Sequence, residues 1–289
     1  MYGDQQRVSK VPPRKGPIVI LNDSELCFGS LQYEDRVVAY FDILGWGSHI
    51  LEAGEDPARI ARLAAAVRMF TSHVGAVGDK DARITTFSDN VVFSKRYAPE
   101  DIPWFLHGIA TIMLGAATFG FLVRGGVTRG SLIHDEHIVF GPALNRAYEL
   151  ESKQAVYPRV LIDELLHAQV PQRSDYISTD DGMFVDPYWP AFWDRVQAEH
   201  PVKPEVLETF NALANVSIPT APVTVPGHVP LAAIAHRLSA EMMAVEKPGD
   251  WAKLAWLFDR IMPRIGSQIT SEVIPKSVNL KAALAGNLD

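Results

Sequence analysis

Val37-Val38-Ala39-Tyr40-Phe41-Asp42-Ile43-Leu44-Gly45-Trp46 is the stretch from which the architecture can be read. Val37 to Phe41 is apolar, β-branched and aromatic, as in a strand covered on both faces. Asp42 interrupts the run, and a carboxylate there is costly unless it is paired or coordinates a metal. Gly45 lets the backbone turn as a helix opens, so the Leu44, Gly45 and Trp46 amides can face an anion. An acid for a metal beside amides for phosphate suits a nucleoside triphosphate. An Asp that only caps the following helix fits the same letters, and the rest of the chain has to decide.

On the N-terminal side, residues 1–34 read as an arm, with Pro12, Pro13 and basic residues ahead of an apolar piece, Pro17 to Leu21. On the other side, Asp56-Pro57 starts a helical pattern carried by Ile60, Leu63, Val67 and Phe70. Arg83 to Phe87 and Val91 to Ser94 flank Ser88-Asp89-Asn90, a hairpin with Asp89 at its tip. A helix over about 101–117 ends at Gly120, and a strand over 121–133 follows with Gly125-Gly126 inside it. Such glycines mark a bulge or the close approach of a backbone or a ligand. His137 to Phe140 returns as a strand, Ala143 to Ser152 is a helix, Tyr157 to Asp163 a strand and Glu164 to Val170 a short helix. Tyr176 to Thr179 and Met183 to Val185 form a closing hairpin. Beyond Pro190 the pattern predicts helices over 203–215, 229–246 and 251–263, with a Pro-rich joint at 219–230. The fold class is therefore α/β (α+β): a sheet flanked by helices over 35–188, then a helical C-terminal extension over 189–289.

Composition bounds the function. With 289 residues, 47% hydrophobic and 21% charged, the chain is ordinary globular material. The net charge of −7 argues against nucleic-acid backbone as a partner. The single cysteine, Cys27, excludes an internal disulfide framework and a Cys-based zinc site. No membrane-length apolar run and no signal-peptide core occur, so the reading is a soluble cytoplasmic protein.

The acids carry the chemistry. If their strands are neighbours, Asp42 and Asp89 meet at one sheet end, and paired carboxylates favour magnesium or manganese over zinc. Arg124, leading into Gly125-Gly126, offers permanent positive charge for a leaving pyrophosphate. Two structural turn acids are the alternative. His49, His107, His134 and His137 lack metal-motif spacing and read as structural or exposed.

Taken together, these segments resemble the class III nucleotidyl cyclases, and most of all the bacterial pyrimidine cyclases of Pycsar anti-phage defence. The resemblance covers roughly residues 35 to 187. Phe41-Asp42-Ile43-Leu44-Gly45-Trp46 fits the first metal-acid motif, and Phe87-Ser88-Asp89 the second, where glycine more usually precedes the acid. Arg124-Gly125-Gly126-Val127-Thr128-Arg129-Gly130 fits the strand that brings an arginine to the phosphates. Phe140-Gly141-Pro142-Ala143-Leu144-Asn145 begins the helix from which an asparagine faces the ribose. Ala147 to Glu151, followed by Tyr157-Pro158-Arg159, is similar to the pyrimidine branch.

The resemblance implies a ferredoxin-type sheet and a head-to-tail homodimer with active sites at the interface. It implies two divalent ions (Mg2+ or Mn2+) held by Asp42, Ile43 and Asp89, phosphates held by Leu44, Gly45, Trp46 and Arg124, and a ribose-facing Asn145. Purine cyclases place a base-reading lysine where this chain has Thr85 and an acid where it has Ile138, so the base is expected to be a pyrimidine, UTP ahead of CTP. Their transition-state arginine is replaced by Glu149, leaving Arg146 or Arg129 as substitutes. The implied product is a 3′,5′-cyclic nucleotide read by a separate effector protein. The rival readings are an inactive nucleotide sensor on the same fold, a purine cyclase, and a palm-type transfer between two nucleotides.

Overall fold

The computed structural model describes residues 32–76, 81–171, 174–199 and 227–266. The chain divides into two units, Met1–Gln32 and Tyr33–Asp289, and all of the first except Gln32 lies outside the described residues, with the expected apolar piece at Pro17 to Leu21. The expected helix at 203–215 also lies outside them.

The central strand β1 (Glu34–Ile43) alternates its side chains. Val37, Ala39, Phe41 and Ile43 join the main core, whereas Val38 joins a smaller cluster on the opposite face, with Tyr40 packed beside it. Helix α1 (Trp46–Ala53) opens after Gly45, whose φ of 73° is left-handed and suits glycine. Asp56 caps α2 (Pro57–Ala76), its Oδ1 accepting the Ala58 amide at 2.8 Å, with Pro57 in the first turn. Strands β2 (Arg83–Phe87) and β3 (Asn90–Arg96) form the expected hairpin. Its two-residue tip puts Ser88 at φ 58°, an uncommon value for a residue with a side chain. Helix α3 (Ile102–Thr118) leads to β4 (Val123–His134), and β5 (Val139–Phe140) folds back on it.

This βαββαβ run gives the order β2-β3-β1-β4, antiparallel throughout, which is the ferredoxin-type arrangement. Three short strands extend it: β6 (Val160–Ile162), parallel to β4, then β8 (Phe184–Val185) and β7 (Ile177–Ser178). Among the described residues the whole is one eight-stranded sheet flanked by helices.

The two faces of the sheet are unequal. Helices α2 and α3 cover one face together with α6 (His228–Ala244) and α7 (Pro248–Ile261), their Phe70, Phe105, Leu231 and Leu257 sharing one core with β1. The helices after Pro190 thus pack into the same core as the sheet. Helix α5 (Pro190–Glu199), at the start of the expected helical extension but not among its named helices, also belongs there through Phe192. The opposite face carries α4 (Pro142–Glu149), set close to the sheet by Gly126. A Cβ on Gly126 would stand 2.4 Å from Leu150 Cβ and 2.6 Å from the Ala147 carbonyl, so Gly126 admits the helical segment, while a Cβ on Gly125 would meet the Tyr40 carbonyl of β1 at 2.4 Å. The helix expected over Ala143 to Ser152 stops at Glu149 and runs into a π-helical turn, Leu150–Gln154. The expected helix at Glu164 to Val170 is 3-10 in form. No helix among the described residues is long and apolar enough to cross a membrane.

The C-terminal helices are locked to the sheet by charge as well as by apolar packing. Asp186, 1% exposed, accepts from Arg260 Nη2 at 2.7 Å and from Arg264 at 2.9 and 2.7 Å. Removing that carboxylate takes from Arg264 its acid partner and leaves Arg260 with Asp180 alone, in a poorly solvated place. Asp186→Ala is expected to cost about 3–5 kcal/mol of stability in urea denaturation.

Candidate active site

The face under α4 carries a polar row at the C-terminal end of β1. In register across the strands, Phe87 opposes Asn90, Asn90 opposes Asp42, and Asp42 opposes Arg124. Cross-strand partners project from the same face, so the row is a direct consequence of register. The Asp89 carbonyl accepts the Ile43 amide at 3.2 Å, which ties the hairpin tip to the end of β1 and brings Asp89 beside Asp42. Pairing of β1 with β3 thus sets both acids at one end of the sheet.

Each acid is oriented through one oxygen. Asp42 Oδ2 accepts from Arg124 Nε at 2.8 Å. Asp89 Oδ1 accepts from Asn90 Nδ2 at 3.0 Å, and the Tyr40 hydroxyl donates to Asn90 Oδ1. Among the described residues, the second oxygen of each carboxylate has no hydrogen-bond or ion-pair partner.

Sequence reasoning missed Glu151. The π-helical turn directs it onto Arg124, with Oε1 2.7 Å from Nη2, and the residue is 3% exposed. Its carboxyl is held above the ordinary glutamate range, chiefly by burial; Arg124 opposes that shift, and Asp42 and Asp89 add to it. The same acids, with burial as the largest cause, push the Tyr40 phenol up to about 12. Two carboxylates thus share the Arg124 guanidinium, with Asp89 close enough to add to the negative field at Glu151, an excess of negative charge that a cation would relieve.

No group of three or more His, Cys, Asp or Glu side chains poised for a metal occurs among the described residues. Two carboxylates with open oxygens nevertheless suit magnesium, which keeps water and substrate phosphates for its other positions. Ile43 buries its side chain in the core, so only its backbone can serve such an ion. One expectation needs correction: the Leu44 amide is not open to an anion, because it donates to the Leu122 carbonyl at 2.8 Å. Gly45 and Trp46 lie at the start of α1, where helical geometry leaves amides without intrahelical partners.

The remaining candidates separate. Arg146 donates through Nε to Asp163 Oδ2 at 2.6 Å, and Thr128 shares that oxygen at 3.0 Å. Arg129 opposes Val37, on the sheet face away from Asp42, where it bonds Asp35 at 3.1 Å and stacks 3.7 Å from the Tyr97 ring. The fold does not bring it to the acids. Glu149 pairs with Lys153 at 3.1 Å. Asn145 is exposed on α4. Thr85 lies one row inside the acid row and bonds His134, while Ile138 sits in the β4–β5 turn next to His134's strand partner, Val139.

These features define a mixed α/β protein with an acidic, arginine-braced site at one end of its central strand. No protein-family model and no curated protein matches the chain. Among solved structures, it is similar to the adenylyl cyclase CyaB from P. aeruginosa, with 16% identity, a TM-score of 0.40, and coverage of 51% of this chain and 84% of that one. It is also similar to a bacterial light-regulated adenylyl cyclase, at 18% identity and TM-score 0.37 over 54% and 92%. A class III adenylyl cyclase-like ATP-binding protein from Pseudomonas aeruginosa follows at 10% and 0.35 over 48% and 35%.

The Glu151 shift has a measurable sign. A carboxyl raised in the folded chain binds its proton more tightly there than in the unfolded chain. It favours folding at acid pH and loses that contribution as pH rises past the ordinary glutamate range. The stability of the native chain minus that of Glu151→Gln, from urea midpoints, is expected to shrink as pH rises. Growth of that difference with pH would contradict the assignment.

Proposed function

We propose that the chain is a pyrimidine nucleotidyl cyclase, converting UTP ahead of CTP to the 3′,5′-cyclic nucleotide and pyrophosphate. The observation that carries this reading is the placement of Asp42 and Asp89 at one sheet end beside Arg124, each with an oxygen unpartnered among the described residues. Asp42 and Asp89, with the Ile43 carbonyl, would hold divalent ions. Such ions acidify a hydroxyl and offset phosphate charge when bound. Asn90 and Tyr40 fix the Asp89 carboxylate, and Arg124 fixes Asp42 while adding positive charge near the triphosphate. The Gly45 and Trp46 amides face the anion at the start of α1. The ribose 3′-oxygen attacks the α-phosphorus in line and pyrophosphate departs. Positioning and charge neutralisation suffice, and no protein nucleophile is required.

The reading extends to a homodimer. Asn145 is exposed on α4, and Phe87, Ile138, Phe140 and Tyr148 are exposed on or beside this face. In a head-to-tail pair, Asn145 of one protomer would reach the ribose bound at the acids of its partner. A soluble cytoplasmic enzyme whose cyclic product is read by a separate effector in anti-phage defence completes the proposal.

One observation favours a second reading, a nucleotide sensor without turnover. Arg146 is tied to Asp163, and Arg129 to Asp35 and the Tyr97 ring, so both substitute arginines are already engaged within their own protomer. Incubating the protein with the four ribonucleoside triphosphates and manganese, then identifying products, separates the readings. Asp42→Ala and Asp89→Ala should each lower turnover by at least about a thousandfold while the folded circular dichroism spectrum is retained. Cyclic product from either variant at near-native rate would refute the assignment of the acids. Mixing Asp42→Ala with Asn145→Ala, each inactive alone, should restore activity; no recovery would refute the shared interface site.

A further inference from the structure

The C-terminal helices and the start of α1 border a cavity of about 340 Å³. Leu44 and Gly45 line it from the turn that carries β1 into α1, and Leu122 from the approach to β4. Val245 and Leu254 line it from the end of α6 and from α7. That volume and those apolar walls suit a small molecule.

Two charges of opposite sign face this cavity without meeting. Glu241, half-buried on α6, has no hydrogen-bond or ion-pair partner among the described residues, although Arg237 and Arg62 act on it through space. Burial holds its carboxyl above the ordinary glutamate range, and Glu52, on α1 at the same cavity, pushes the same way. Arg62 of α2 spends its Nε on the Phe119 carbonyl at 2.9 Å, and no carboxylate pairs with it among the described residues. Arg237 donates to the Ala117 and Thr118 carbonyls at 3.3 and 3.1 Å. The two guanidinium groups meet over Gly120, where a Cβ would stand 2.3 Å from Arg62 Nη2 and 2.6 Å from Arg237 Nη1. Both arginines are thus held at the C-terminal carbonyls of α3, which attract positive charge, and not at Glu241. The remaining charged pair at the cavity, Lys253 and Asp250, is closed on itself at 3.0 Å.

We infer that this cavity binds a free α-amino acid with an apolar side chain, its ammonium on Glu241, its carboxylate on Arg62 and its side chain among Leu122, Val245 and Leu254. A poorly solvated charge without a partner is costly, and a zwitterion relieves both charges at once. A guanidinium takes a carboxylate through short, charge-assisted hydrogen bonds, and Arg62 has its terminal nitrogens to offer. An amine alone leaves Arg62 without an acid, and an acid alone leaves Glu241 without a cation. An α-amino acid carries both groups on one carbon, with an apolar arm for the walls. The site also adjoins the end of the acid strand. Leu44 donates its amide to the Leu122 carbonyl at 2.8 Å, both residues line the cavity, and Asp42 is two residues back along the chain. Occupancy therefore braces the turn that follows Asp42, and the binding itself does not depend on turnover of a triphosphate.

The test is calorimetric titration of the full chain with L-leucine and with L-phenylalanine, beside isoamylamine and isocaproate, which each keep one of leucine's two charges. At least one amino acid is expected to bind saturably, and each single-charge analogue at least about tenfold more weakly. Glu241→Gln should weaken the amino acid by a similar factor while raising the thermal midpoint, because it removes a charge that burial disfavours. Damage to the fold would lower that midpoint instead. Ala244→Trp places a large side chain in the cavity from an exposed position on α6, and should abolish binding. Failure of both amino acids to bind, equal binding of the amine or the acid alone, or undiminished binding by Glu241→Gln or Ala244→Trp overturns the inference.

Discussion

An ionised carboxylate in the middle strand of a sheet is tolerable only beside a counter-charge, and Arg124 supplies one to Asp42 at 2.8 Å. Much of the site follows from that pair. It requires β1 and β4 to be adjacent and antiparallel in the register that opposes the two residues. That register opposes Gly126 to Tyr40 and places the missing side chain under α4, so the helix can approach until Leu150 touches the strand. The π-helical turn after α4 then lowers Glu151 onto the second side of the same guanidinium. π-turns of this kind interrupt helices mostly at functional positions, and here the interruption aims a buried acid.

Two hydrogen-bond chains run across this face, anchored at ends of opposite character. One ends on an acceptor: Tyr40 donates to Asn90, which donates to Asp89. The other begins on a donor, Arg36, and passes through Ser94 and His134 to Thr85. Because carboxylates only accept and guanidinium groups only donate, each anchor fixes the sense of its chain. The first chain orients an acid with one oxygen left open. The second brings a neutral histidine to a half-buried hydroxyl.

Much of this was legible in the letters, for reasons that also mark the limit. Strand β1 announced itself because Val37 to Phe41 is apolar on both faces, and the fold does bury both. The hairpin was legible from a short polar turn between two β-prone runs, and the meeting of Asp42 and Asp89 from both lying at strand ends. Even the misplacement of Arg129 was signalled: it is five residues from Arg124, and an odd offset along a regular strand reverses the face. Glu151 was hidden because a π-turn breaks the helical period that would have placed it. His134 was hidden because its partners lie 40 and 49 residues away, and only inter-strand register brings them together. The use of the Leu44 amide had the same cause, since its acceptor is Leu122 on the approach to β4.

The unequal coverage of the sheet explains why the polar rows share one face. Helices α2, α3, α6 and α7 pack on the Phe41 face, and the Asp186 ion cluster keeps the C-terminal pair in place. What is left is the α4 face, where charged and hydrogen-bonding side chains sit in rows two residues apart on rigid strands. The acid row and the Thr85 row therefore cannot drift relative to one another without breaking strand pairing. Such a frame suits a ligand with a polyanionic end and a hydrogen-bonding end at a fixed distance.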